Sequence, residues 1–182
     1  MKPLSFCLGF VVTALLLGPA PKLAAQDPKD RRKCDEAVEL FRTADADLAR
    51  FFEEAAGYAV FPSVGKGAFI VGGAGGSGCL YEGGGIVGKA KLVQVTVGLQ
   101  LGGQSYAELI FFQAGEALEA FKASRLEMSA QVSAVAAASG ASANAKYRQG
   151  VLVFTIARGG LMYEASVGGQ KFSYTPAETE SE

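Results

Sequence analysis

The sequence predicts an α+β domain: a curved, largely antiparallel sheet or partly closed barrel, with N-terminal helices and one inserted helix. Three observations predict it. Helical spacing is confined to two places, 34–56 and 114–124. Strand-like runs fill the rest and are joined by glycine turns, which favours hairpins over long crossovers. Glycines also fall inside the strand candidates, where they mark strong bending or close approach of another backbone.

Composition fits one globular domain. The 182 residues are 49% hydrophobic and 19% charged, enough apolar side chains to bury a core. The 24 glycines follow no G-X-Y period, which excludes collagen.

The start of the chain reads as a targeting segment. Lys2 precedes an apolar run from Leu4 to Leu17, Gly18-Pro19-Ala20-Pro21 breaks it, and Ala24-Ala25 offers small residues for cleavage. The run is short of the roughly 20 residues a membrane helix needs and has the layout of a secretory signal. Residues 1–25 are therefore expected to be a signal peptide, cleaved after Ala25, with an uncleaved anchor as the alternative. The expected location is periplasmic or extracellular, at a membrane surface. Cleavage removes Lys2 and Lys22 and no acid, taking the net charge from −1 to −3. That balance argues against a nucleic-acid partner held by bulk charge. Cys34 and Cys79 would remain. They can pair in an oxidising compartment; a buried Cys79 apart from a partly exposed Cys34 is the slightly preferred reading.

Residues 26–34 read as a flexible, charged lead-in. From Cys34 to Ala56 the pattern is helical, with Val38, Phe41, Leu48, Phe51, Phe52 and Ala55 recurring at spacings of three, four and seven. Asp45 interrupts, so one long helix and two short ones fit equally, and burial is favoured for at least one of Phe51 and Phe52. Gly57 is a natural stop. Tyr58–Phe61 reads as a strand ended by Pro62. Lys66–Gly73 and Gly78–Glu82 are further strands, joined by a turn at Ala74–Ser77, and Gly83-Gly84-Gly85 is another turn. Leu92–Leu101 alternates cleanly, and Tyr106–Phe112 reads as a strand more fully buried than that one. Ala114–Ser124 returns to helical spacing and Leu126–Ala138 alternates again. Gly140–Lys146 reads as a turn. Val151–Ala157 and Leu161–Val167 form a hairpin around Gly159-Gly160, Lys171–Tyr174 extends the sheet, and 175–182 is an acidic tail expected to be disordered.

The chain has no histidine. That removes the commonest general base, the histidine-assisted nucleophile systems and ordinary zinc sites. Cys79 has no accompanying base. The patterns Gly73-x-Gly75-x-x-Gly78 and Gly83-x-Gly85-x-x-Gly88 imitate a dinucleotide fingerprint, but no helix opens after either one, as pyrophosphate binding requires. Glu108 sits in a strand, where a solvated position is favoured over a polar cavity. No catalytic residue, cofactor or metal is expected. Small basic groups such as Lys89 with Lys91 can hold anionic headgroups, each base contributing about 1 kcal/mol near a charged membrane; dispersed solubilising charge is the plainer reading.

Gly57-Tyr58-Ala59-Val60-Phe61-Pro62, Lys66-Gly67-Ala68-Phe69-Ile70-Val71-Gly72-Gly73 and Gly76-Ser77-Gly78, followed by Val97-Gly98-Leu99-Gln100-Leu101-Gly102-Gly103-Gln104-Ser105, resemble the SYLF-domain family, also called Ysc84-related. Phe111-Phe112 and Ala117-Leu118-Glu119-Ala120-Phe121 fit its next strand and helix. The resemblance spans Asp35 to Tyr174 and sets the expected domain at 35–174. It implies a non-catalytic lipid-binding module, with lipid headgroups or a membrane surface as partner; eukaryotic relatives bind phosphoinositides and some bind actin. An exported chain does not meet cytosolic actin. On this reading Lys66, at the family's motif position, is a candidate headgroup contact or else orders the glycine-rich loop, and Lys89 and Lys91 are further candidate contacts. The region between Gly85 and Leu92 is shorter than the family's usual pattern. The alternatives are an envelope protein that binds a protein partner without lipid, and a small outer-membrane barrel, which the helical patterns disfavour.

Overall fold

Asp27 starts the first helix. Its carboxylate accepts the Lys29 N–H at 3.0 Å, and Pro28 lies in the first turn, where its fixed φ suits a helix start. The computed structural model describes residues 27–66, 73–95, 105–113, 115–128, 134–158 and 169–177, without the side chains at 66, 73, 95 and 158. The expected signal peptide and the Leu161–Val167 strand lie outside the described residues, as does most of the Leu92–Leu101 alternation.

Helix α1 (Pro28–Ala44) corrects the expectation of a flexible lead-in, because the cap and proline set its start ahead of Cys34. It stops at Asp45, whose backbone is extended (φ −148°, ψ 106°) and whose carboxylate caps a short 3-10 turn at Ala46–Leu48. Helix α2 (Ala49–Glu54) follows, so the helical stretch is broken in two.

Among the described residues seven strands form one sheet: β1 (Gly57–Lys66), β2 (Gly73–Glu82), β3 (Gly85–Val95), β4 (Ser105–Phe112), β5 (Val135–Ala136), β6 (Val151–Arg158) and β7 (Gln170–Pro176). Their order is β5-β6-β4-β1-β2-β3-β7. Only the β5–β6 pair is parallel. The sheet is open, with β5 and β7 as its edges, and it is strongly curved. Gln170 on the β7 edge hydrogen-bonds Glu108 on β4 at 2.8 Å, although β1, β2 and β3 lie between them in the sheet. Helix α3 (Glu116–Lys122) lies over the concave face. Its Phe121 ring meets Phe112 of β4 at 4.9 Å and Phe172 of β7 at 5.4 Å.

Two apolar cores result, one on each face. The concave core gathers Phe61, Leu80, Leu92, Ile110, Phe112, Phe121 and Phe172. The other joins Val38, Phe41, Leu48 and Phe51 of the N-terminal helices to Val60, Leu109, Phe111 and Phe154. Phe51 is buried and Phe52 half-buried. The Cys34–Cys79 disulfide ties α1 to β2. This corrects the preference for unpaired cysteines: α1 crosses the sheet and brings together residues 45 apart in sequence.

Glycine explains the remaining differences. Pro62 does not end β1. Val60 pairs with Cys79 and Ser63 with Ser77, so Phe61 and Pro62 form a bulge against Gly78 alone, and a bulge tolerates a residue without an N–H. A Cβ at Gly78 would strike the Val60 carbonyl and the Phe61 ring. The Ala74–Ser77 segment, expected as a turn, is strand within β2. The turn lies at Gly83 and Gly84, whose φ values are +58° and +81°. Strand β3 starts at Gly85 rather than Leu92, and in it Leu92 and Gln94 are buried while Val93 is half-buried. Of the expected Leu126–Ala138 strand, the described residues form only β5 and an isolated Glu127–Lys171 bridge. Gly140–Lys146 holds a short 3-10 turn at Ala141–Asn144. Strand β7 pairs with β3 and takes in Thr175 and Pro176, expected as tail.

Candidate functional site

Strand register builds a polar row on the α1 side of the sheet. Ser63 pairs with Ser77, and Ser77 with Lys91. One row further along, Cys79 pairs with Lys89. The disulfide from Cys79 holds the first turns of α1 beside these rows. A notch of about 360 Å³ remains there, lined by Asp30, Lys33, Ser63, Ser77, Lys89 and Lys91 among others. Lys89 approaches Asp30 at 3.9 Å, with both side chains about half exposed (48% and 51%); such a pair contributes little, about 0–1 kcal/mol. Lys33 and Lys91 form no ion pair with a described residue. The notch is thus open and cationic, with two hydroxyls on its floor. An anionic group can collect charge-assisted hydrogen bonds there.

Lys66 stands elsewhere by register. It lies opposite Ala74 at the end of β1, in the cross-strand row that continues through Gln94 and Gln170. Its side chain is outside the described residues.

The concave face carries a second polar feature. Glu108 is fully buried, which corrects the expectation of a solvated position: β4 is central, and α3 covers that face. Gln170 Nε2 donates to Glu108 Oε2 at 2.8 Å and to the Tyr106 hydroxyl at 3.4 Å, and that hydroxyl donates to Gln94 Oε1 at 2.9 Å. Burial pushes the Glu108 carboxyl up to about 8, against the pull of hydrogen bonds with Gln170 and Tyr106. Burial, with the Glu108 charge behind it, also raises the Tyr106 phenol far above its ordinary range. The sequence carried one signal for this cluster, a glutamate and two glutamines interrupting strand apolar runs. Single-strand alternation could not show that the three meet.

Cys79 is consumed by the disulfide. Among the described residues, no group of three or more histidine, cysteine, aspartate or glutamate side chains gathers as a metal site would require. No described helix is long and apolar enough to cross a membrane.

Residues 93–181 match the family model Ysc84, described as Las17-binding protein actin regulator. Over that segment, just under half of the chain, the protein is similar to the Ysc84 family. No curated protein matches the chain. The Ysc84 match runs from the end of β3 through β7, and all four members of the buried network, Gln94, Tyr106, Glu108 and Gln170, fall inside it. The Ysc84 domain is a binding-type domain rather than an enzyme family. Lys33, Lys66, Lys89 and Lys91 precede the matched segment.

Proposed function

We propose that this protein is a non-catalytic lipid-binding module that associates with anionic headgroups at a membrane surface, after export from the cytosol. The observation that carries the reading is the convergence of Lys33, Lys89 and Lys91 on one open notch floored by Ser63 and Ser77. Near an anionic bilayer each lysine contributes about 1 kcal/mol. The hydroxyls add directional donors that bulk charge lacks. The family description names binding of a protein and regulation of actin; export would separate this chain from cytosolic actin, so only the binding character carries over. The composition of the notch favours lipid over an apolar protein contact.

The test is co-sedimentation with neutral and with anionic liposomes at low and moderate salt. Binding to anionic vesicles that weakens with salt is expected. A Lys89→Ala/Lys91→Ala variant is expected to lose roughly 30-fold in partitioning, about 2 kcal/mol. Binding that survives this change but falls with Lys66→Ala would move the site to the end of β1. Absence of binding to either vesicle overturns the lipid reading and leaves a protein partner.

A further inference from the structure

On the concave face Gln170 Nε2 donates to Glu108 Oε2 and the Tyr106 oxygen, and the Tyr106 hydroxyl donates to Gln94 Oε1. Two buried acceptors are then left without a donor: Glu108 Oε1 and Gln170 Oε1. Each such orphan is destabilising, and more so when charged. The two orphans belong to the same pair of groups, a carboxyl and an amide already joined head to head through Oε2 and Nε2. A proton on Glu108 Oε1 turns one of these orphaned acceptors into a donor and removes the buried charge.

We propose that Glu108 is a proton-operated clasp: its neutral carboxyl locks the β7 edge to β4 across the concave face, and release of that proton to solvent unlocks it. The inference does not depend on the lysine notch, which lies on the other face. The surroundings suit a group kept neutral. From β1 the register neighbour is Phe61, and from β6 it is Thr155. Strand β3 contributes Gln94, and β7 contributes Gln170 and then Phe172. Helix α3 brings Phe121 and Leu118. Among the described side chains, the titratable groups on this face are the Tyr106 phenol and, at the far end, Tyr174 with the Lys122–Glu82 ion pair at 3.1 Å. Lys66 shares the register row of Gln94 and Gln170. The raised carboxyl of Glu108 agrees with its unpaired oxygen. Ionisation leaves a charge in an apolar core with one oxygen unpaired, and the contact that breaks most readily is the one to an edge strand.

The sign of the pH effect follows. An acid whose folded value, about 8, exceeds its ordinary 4.5 binds its proton more tightly when folded. Stability therefore falls as pH rises from about 4.5 to about 8 and levels off above. Glu108→Gln imitates the neutral acid, since its amide is an uncharged donor, and removes this slope.

The experiment has two parts. In the full chain, with glutamate carboxyls labelled with carbon-13, the Glu108 resonance is assigned through its own backbone amide and followed by NMR, so no variant is needed. It is expected to read neutral at pH 6 and to titrate near pH 8, in wild type and in Lys66→Ala alike. Urea unfolding of wild type and Glu108→Gln at pH 6 and pH 9 is the second part. The wild-type folding constant is expected to fall by roughly a hundredfold relative to the variant over that interval, with faster amide exchange in β7 than the variant shows at pH 9. A Glu108 carboxyl already ionised at pH 6, or parallel stability profiles for the two proteins, overturns the proposal.

Discussion

The Asp45 carboxylate accepts the backbone N–H of Ser142 at 2.8 Å, joining the break between α1 and α2 to a loop 97 residues later in the chain. It also accepts the N–H of Asp47 at 3.1 Å and of Gly140 at 3.3 Å. From the same helical region Arg50 donates to the Ser142 carbonyl at 2.6 Å and the Ala143 carbonyl at 3.1 Å. The short loop thus has its backbone groups satisfied by two side chains of opposite charge. Burial raises the Asp45 carboxyl, but the hydrogen bonds from Ser142, Asp47 and Gly140 outweigh it and hold the group below its usual value. Asp45→Ala is expected to lower stability at pH 7 by about 2–3 kcal/mol, the loss of a cap and of charge-assisted bonds. A depressed acid contributes fully above its unfolded value of 3.8 and loses that contribution as pH falls through the lower folded value. Urea midpoints of wild type and variant should therefore converge on strong acidification; a constant gap down to the acid limit would contradict the account.

The glycine tract supports a paired test. Gly78→Ala places a methyl group onto the Val60 carbonyl and the Phe61 ring, whereas a Cβ at Gly85 meets nothing within 4 Å. Backbone atoms cannot step aside cheaply. Gly78→Ala is expected to cost about 3 kcal/mol, and Gly85→Ala to stay within about 0.5 kcal/mol of wild type. Denaturant midpoints of the two variants measure the difference. Equal effects would remove the close-approach explanation for Gly78.

The Cys34–Cys79 bond closes a loop of 45 residues, for which chain entropy sets a stabilisation of about 4 kcal/mol. A Cys34→Ala/Cys79→Ala variant should melt well below wild type yet keep the sheet, because Phe41 and Leu48 remain fully buried on the same face. Thermal melts with and without reductant give the check. Wild type is expected to fall to the variant's level on reduction, and a reductant-insensitive melting point would show that the bond contributes nothing.

Asp30 is the acid that holds back the lysine notch. Asp30→Asn removes the partner 3.9 Å from Lys89 and one negative charge from the rim. Binding to anionic vesicles is expected to rise about fivefold, near 1 kcal/mol, with no change on neutral vesicles. A decrease would mean that Asp30 takes part in binding rather than opposing it.

Composition and periodicity were sufficient for local structure wherever one face of an element is apolar and the other polar. The α1 stripe through Val38 and Phe41, the buried run of β4 and the α3 pair Leu118 and Phe121 are all legible that way, because amphipathic spacing reports burial directly. Of the motifs that suggested the family, Val97–Ser105 lies inside the matched segment, whereas those of the glycine tract precede it. Reading failed where glycine was taken as punctuation. Gly75, Gly76 and Gly78 lie inside β2 because neighbouring backbones approach them, and that reason sits on another strand.

Long-range pairings were decided by the tertiary structure. No spacing in the sequence connects Cys34 to Cys79, Asp45 to Ser142 or Lys33 to Lys91. Glu108 is the sharpest case. Its neighbours along the chain fit equally well in a solvated strand or a buried one. What decides its state is the curvature that brings Gln170 across three intervening strands. The amino-acid sequence by itself determined which residues favour helix, strand or turn, since those preferences act over a few residues. Which charges share a notch, and which carboxyl loses its water, were determined only when the sheet curled, because solvation and Coulomb energy depend on distance in space rather than on separation along the chain.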